Sequence, residues 1–331
     1  RTRNLTASAY YRDATLAGAC AIAPTDWTGP ACPGHTHAFV FLVEFGREPA
    51  PGEPGAAWIH GTNVARTDLR CAELAVVLAG YLRALGWQAR GHIDGDTLVS
   101  IETLAQRAGV AMDVDGTLKA PLMQRGFRLG AVTTDFELAA DLPLAALDWP
   151  SAEAYMGRMG TRPGWAEAEE ARRLVHMGRY EMERIRRVDE PTTLVLRDEI
   201  QRMPKRADLF ARALAGDLGE KAQTERRRFA VKHPLAFAMT PLIRNMVPLQ
   251  GTREPLSRPD GYADPARNAL DVKALCHYMG ADLVGICRAE PWMYYSHDDE
   301  KGAPIEPYHP YAVVMLLDQG FETMEGSSGD D

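Results

Sequence analysis

The chain is poor in cysteine, and none of its five cysteines is spaced as CxxC. Cys20, Cys32, Cys71, Cys276 and Cys287 form an odd, scattered set, several of them inside apolar patterns, as expected of a reduced cytoplasmic protein with buried thiols rather than a disulfide framework. Apolar runs are short, and none approaches the roughly 18 residues a membrane span needs. Positive charge is in deficit, since 37 Lys and Arg against 45 Asp and Glu leave −8. That balance disfavours a nucleic-acid surface, which draws on net positive patches, and the basic cluster Arg226-Arg227-Arg228 is too short to reverse it. The N-terminal residues carry neither the apolar core of a signal peptide nor a twin-arginine pattern, so a cytoplasmic location is expected. No phosphate-binding glycine loop, Walker pattern or nucleophile elbow occurs, so nucleotide-dependent and serine-hydrolase chemistry find no support.

What is present is an ordinary globular composition, 46% hydrophobic and 25% charged, over 331 residues, enough for about two domains. Within it the chain repeats itself. Residues 7–24 read ASAYYRDATLAGACAIAP and residues 274–291 read ALCHYMGADLVGICRAEP, matching at Ala7/Ala274, Tyr11/Tyr278, Ala14/Ala281, Leu16/Leu283, Gly18/Gly285, Cys20/Cys287 and Pro24/Pro291. Each copy then carries a second block: His35, Thr36 and His37 lead into AFVFLVEFG, and His309, Pro310 and Tyr311 lead into AVVMLLDQG. Two blocks of the same character in the same order read as a duplicated unit, complete in the first copy and broken off in the second.

Residues 16–22 and 38–45 are short apolar runs bounded by Gly and Pro and predict buried strands. From Asp68 the period changes: Leu69, Ala72, Val76, Ala79 and Leu82 recur at three and four residues, predicting a helix that Gly86 stops. Residues 87–93 and 127–133 predict two more strands, and Ser100 caps a short helix through Arg107. The fold class is thus α/β (α+β), a mixed sheet flanked by helices. The charged text from 148 to 188 predicts a solvated helix, and the stretch punctuated by Pro234, Pro241, Pro248, Pro255, Pro259 and Pro265 a wrapping segment or long loop. The domains are therefore 1–146, 147–268 as a helical and Pro-rich connector, and 269–331.

Several constellations invite chemistry without completing it. Cys32, His35 and His37 offer zinc ligands at short spacing, but a fourth ligand is missing, so no metal is assigned. His92 and Gly95 have the HxxG spacing with which some cobalamin proteins present a histidine to cobalt, yet Arg90 stands where an Asp is expected. Asp135 and Asp141 flank an apolar segment with no base or nucleophile beside them and read as turn and cap residues.

Three blocks read together break the silence. RADLFAR at 206–212 with GDLG at 216–219, then Asp264-Pro265 and Lys273, then GADLVGI at 280–286, resemble the approach to the corrinoid-binding core of reductive dehalogenases. In the first copy, AGYLRALGWQA at 79–89 and RLGAVTTD at 128–135 resemble later blocks of the same core. The resemblance extends over nearly the whole chain and is greatest to the cytosolic, catabolic branch, which acts on halogenated phenols and hydroxybenzoates.

The resemblance implies a corrinoid-domain-like unit in duplicate, with cobalamin held by the second copy and two 4Fe-4S clusters feeding it electrons. Such clusters need closely spaced cysteines, so their ligands, the catalytic tyrosine and its basic partner are all expected downstream of Asp331, and this chain alone is expected to be inactive. In the first copy Ala111, Val114 and Thr117 replace glycines that the family sets against the corrinoid, which marks that copy as vestigial. In the second, Trp292, Tyr294, Tyr295 and Ser296 fall where the family lines its substrate channel, and Val314 and Met315 on the strand expected under the cofactor. The implied partners are a small halogenated aromatic and an electron donor protein or reductase domain, with no nucleic acid and no membrane. Two other readings stay open: a relative of epoxyqueuosine reductase, and a cobalamin carrier without redox chemistry.

Overall fold

Residues 37–44, HAFVFLVE, are apolar nearly throughout, which suits a strand covered on both faces, and they form the centre of the larger sheet. The structure is a computed structural model that describes residues 2–93, 95–121, 123, 125–144, 188–190, 192–226, 233–251, 262–298 and 302–317. The charged helix expected over 148–188 lies, but for Val188, outside the described residues. The chain divides into two compact units, one of residues 1–149 with 227–279 and the other of residues 150–226 with 280–331. The segment read as a connector is thereby shared between them.

In the first unit, strands β1 (Leu16–Ala21), β2 (His37–Glu44), β3 (Ala89–Ile93) and β6 (Phe127–Thr134) form a sheet in the order β1-β2-β6-β3. Every ladder in it is antiparallel. Strand β6 lies between β2 and β3, so these two run the same way and are joined by α3 (Asn63–Ala84), a split β-α-β unit. Helix α3 packs one face of the sheet: Cys71, Leu74, Ala75, Leu78, Ala79 and Leu82 form a core with Phe39, Phe41, Val43 and Val132, joined by Leu5 and Ala9 of α1 (Thr2–Tyr11). The stripe differs from the one expected, for Leu69 and Val76 are exposed. Both sets obey the helical period, and the one bearing the larger continuous surface at 71, 74, 78 and 82 wins the sheet.

The other face is closed by α4 (Ile101–Arg107), whose N-cap Ser100 accepts from the Thr103 N–H. After α4, Ala108, Val110 and Ala111 are buried, and a hairpin of β4 (Met112–Val114) and β5 (Thr117–Lys119) follows. Its turn is Asp115-Gly116, both at positive φ, the pairing that fits the twist of a two-residue hairpin. The residues that interrupt the family's glycine run therefore build a hairpin.

The Pro-punctuated stretch holds more regular structure than its composition predicts. Helix α7 (Pro234–Met246) starts on Pro234 at its first turn, where the missing N–H costs nothing, and lays Leu235 and Ala238 against Val77 of α3. Helix α8 (Pro265–Tyr278) starts likewise on Pro265, after the N-cap Asp264. Buried Asp271 of α8 accepts the Gly55 N–H at 2.6 Å, which ties α8 to the short α2 (Ala56–Ile59). Arg66 and Arg70 of α3 donate to the carbonyls of Tyr278 and Met279 at the C-terminal end of α8, where cations complement the helix dipole.

In the second unit, α5 (Leu209–Ala215) and α6 (Glu220–Glu225) are short helices, and β7 (Leu283–Arg288) pairs with β8 (Tyr311–Leu316). The β7–β8 register reproduces that of β1–β2: Gly285 faces Val314 as Gly18 faces Val40, and Cys287 faces Ala312 as Cys20 faces Ala38.

Candidate functional site

The sequence-matched hairpins differ in what covers them. A Cβ built on Gly18 would stand 2.2 Å from the Ala108 carbonyl oxygen and 3.2 Å from Val110 Cγ2, so that face of the first unit is packed to contact. It has no room for a flat macrocycle. At Gly285 nothing lies within 4 Å of the same position. Leu283, Val314 and Leu316 are exposed beside it, an open apolar floor of the kind a large ligand or further protein covers. Val314 and Met315 are consecutive on β8 and so point to opposite faces. Only Val314 shares the Gly285 face.

Between β7 and β8 the chain makes a loop that carries all four candidate substrate residues. A 3-10 turn (Pro291–Met293) opens it, and an isolated bridge between His297 and Pro304 narrows its far end. Trp292 and Tyr295 are exposed. The Tyr294 hydroxyl both donates to the His309 carbonyl and accepts the His309 N–H, each at 3.2 Å, and its ring meets Tyr308 edge-on at 5.2 Å. Tyr294 therefore staples the two arms of the loop, and its hydroxyl is committed. Tyr295 donates to Asp208 Oδ2 at 3.4 Å, and the Lys205 ammonium lies 4.7 Å from its ring centroid, a cation–π arrangement. Ser296 Oγ lies 3.1 Å from His297 Nδ1.

Residues some ninety positions earlier organise this loop, and no local pattern announces them. Ser296 N–H donates to the Met203 carbonyl at 2.8 Å and Lys205 N–H to the His297 carbonyl at 3.0 Å. Asp208 is the N-cap of α5, accepting from the Phe210 and Ala211 N–H groups. Arg206 grips Asp217 with two bonds of 2.9 Å, and this hydrogen-bonded guanidinium holds the Asp217 carboxyl below the usual range. RADLFAR and GDLG are thus the two ends of one clasped helix.

Among the described residues no three His, Cys, Asp or Glu side chains are grouped to hold a metal. Cys20 and Cys71 are buried, and burial raises the Cys20 thiol to about 11, so it is a packed, unreactive thiol. In the first unit His35 Nδ1 is taken by Thr133 and His37 Nδ1 by Thr36, and His92 is buried between Asp96 and Thr133. Asp135 and Asp141 accept the main-chain N–H groups of Gln88 and Ala19.

Comparison with solved structures places this architecture. The catabolic reductive dehalogenase NpRdhA aligns with 100% of the chain at 61% identity and a TM-score of 0.86. Throughout its length the chain is similar to a reductive dehalogenase. A structure of NpRdhA in complex with 3-bromo-4-hydroxybenzoic acid covers 99% of the chain at 61% identity and a TM-score of 0.84. A reductive dehalogenase structure that suggests a mechanism for B12-dependent dehalogenation does so at 62% and 0.85. The chain spans about half the length of these dehalogenases, 49%, 48% and 48% in turn. No protein-family model and no curated protein matches the chain.

Proposed function

We propose that this chain is part of a reductive dehalogenase that removes halogen from an aromatic ring, a halophenol or a halogenated hydroxybenzoate. The observation that carries the reading is 61% identity, held along the whole chain, to a dehalogenase solved with 3-bromo-4-hydroxybenzoic acid. In this reading the first unit is a vestigial copy of a corrinoid domain, since its Gly18 face is filled by Ala108 and Val110. The second copy begins at the β7–β8 hairpin, whose matching register supports a duplication. The domains are 1–146, 147–268 and 269–331, with helices of the middle segment packed into both units.

In this reading the apolar face that Gly285 and Val314 share would take a cobalamin, with Val314 against it. Met315 would pack against protein on the other side of the strand. The chemistry a cobalamin supplies when bound is reductive cleavage of the carbon–halogen bond, with electrons delivered through two 4Fe-4S clusters. Trp292 and Tyr295 present ring faces to a flat substrate, while Tyr294 and Ser296 set the loop's shape. An electron donor protein or reductase domain completes the system in the cytoplasm.

The test is anaerobic reconstitution of the full-length polypeptide carrying this sequence with hydroxocobalamin, iron and sulfide, followed by bromide release from 3-bromo-4-hydroxybenzoate under a chemical reductant. Reductant-dependent bromide with matching 4-hydroxybenzoate is the expected result. Bound corrinoid without bromide would favour a carrier, and neither corrinoid nor bromide would overturn the reading.

A further inference from the structure

Arg202 precedes Tyr294 by 92 positions, yet its guanidinium is spent on the aromatic loop. Its Nε donates to the Tyr294 carbonyl at 3.4 Å, and its Nη2 to the Tyr295 carbonyl at 2.8 Å and the Ile305 carbonyl at 2.5 Å. Tyr294 and Tyr295 belong to the outgoing arm of the loop and Ile305 to the returning arm, so one side chain spans both. Main-chain bonds flank it: Ser296 N–H to the Met203 carbonyl and Ile305 N–H to the Ser296 carbonyl, at 2.8 and 3.0 Å.

Among the described residues no carboxylate pairs with Arg202. A guanidinium satisfied by three carbonyls of one loop orients backbone, where the same group on a carboxylate balances charge. The task needs a planar fork with several fixed donors, which arginine has and lysine lacks. The loop is also held by the Tyr294 and Tyr295 contacts, the His297–Pro304 bridge and main-chain bonds such as Lys205 N–H to the His297 carbonyl, and Arg202 adds a side chain whose donors reach three carbonyls on both arms.

We propose that Arg202 is a positioning residue for substrate, fixing the main chain of residues 294–296 so that the exposed rings of Trp292 and Tyr295 present one wall to a halogenated arene. The inference rests on the reading of this loop as the substrate wall. Arg202 touches no reacting atom and binds the loop equally before and during the reaction. Its loss therefore acts on KM and leaves kcat nearly unchanged.

The experiment compares Arg202→Lys and Arg202→Ala in the full-length reconstituted enzyme by two independent readouts, amide hydrogen exchange and bromide release from 3-bromo-4-hydroxybenzoate. In Arg202→Ala the Ser296 and Ile305 amides exchange faster, the amides of β7 and β8 are unchanged, KM rises about tenfold and kcat stays within about twofold. Arg202→Lys, which keeps the charge and loses the fork, falls between and serves if the alanine variant does not fold. Unchanged exchange at Ser296 and Ile305, or faster exchange throughout β7 and β8, overturns the proposal, and so does accelerated loop exchange with an unaltered KM. If the wild type releases no bromide, the dehalogenase reading has failed, and exchange alone decides whether Arg202 holds the loop.

Discussion

Thr133 Oγ1 lies 2.8 Å from His92 Nε2 where β3 and β6 pair, and the same hydroxyl is 2.8 Å from His35 Nδ1. The Asp96 carboxylate accepts from His92 Nδ1 at 2.8 Å, which leaves Nε2 to accept from Thr133, and Thr133 in turn to accept from His35. The chain of bonds has one direction only while both imidazoles are neutral. Burial lowers the pKa of each, against the pull of Asp96 on His92 and of Asp135 on His35, and with nearby Arg90 lowering both further.

Acid should therefore weaken the first unit before its carboxylates titrate. Folded-state values below the unfolded 6.5 mean that the unfolded chain binds more protons in the window just beneath 6.5, so the stabilisation is complete above 6.5 and falls as pH drops through the folded values. Urea midpoints should be level from pH 8 to 7 and decline below 6.5. In His92→Ala the decline should be shallower. That variant should also lose about 2–4 kcal/mol at pH 8, since it empties a packed site and removes one hydrogen-bond partner each from Thr133 and Asp96.

Gly18 and Gly285 occupy the same place in the two hairpins and should respond oppositely to a methyl group. Gly18→Ala drives a Cβ into the Ala108 carbonyl, an overlap the backbone relieves only by moving α4, and should cost about 3 kcal/mol or more. Gly285→Ala meets open space in this chain and should change stability by under about 0.5 kcal/mol. Thermal melts of the two variants check both. A comparable loss at Gly285 would mean that its face is covered as Gly18's is.

The paired cysteines give a chemical version of that contrast. Cys20 is buried with its thiol raised to about 11, whereas Cys287 is exposed. At pH 8 iodoacetamide should label Cys287 within minutes, and Cys20 only after denaturation. Peptide mass mapping over time separates them.

Much of the first unit was legible because each strand and helix is bounded locally. Gly and Pro fence the strands, and Ser100 and Gly86 cap their helices where the pattern placed them. The stripe of α3 is not legible in sequence because Leu69 and Val76 share the helical period with Cys71, Leu74 and Leu78, and only the sheet decides between the two sets. Asp115-Gly116 is a hairpin signal hidden inside a motif comparison. Trp292, Tyr294, Tyr295 and Ser296 were found as a cluster, being contiguous, but the roles of Arg202, Lys205 and Asp208 depend on pairing between segments far apart in the chain. Nothing in QRMPKRAD as a string says that Arg202, rather than Arg206, will face three carbonyls.

Asp208 unites two functions whose separation yields the last prediction. Its Oδ1 caps α5 by accepting from Phe210 N–H at 3.0 Å, while its Oδ2 faces the Tyr295 hydroxyl at 3.4 Å and the Lys205 ammonium at 3.9 Å. Asn keeps a capping oxygen and Ala does not, so Asp208→Ala should cost about 1 kcal/mol and Asp208→Asn only a few tenths. Both variants remove the charge that offsets Lys205 beside the aromatic wall. If the loop receives a halogenated hydroxybenzoate, Asp208→Asn in the full-length enzyme should lower KM for 3-bromo-4-hydroxybenzoate by about two- to fivefold, the scale of an exposed ion pair, and leave neutral 2-bromophenol unchanged. The gain should shrink with added salt, as a partly exposed charge is screened over about 10 Å at 0.1 M. An equal change for both substrates would mean that Asp208 acts through the fold of α5 and that Lys205 does not sense the carboxylate.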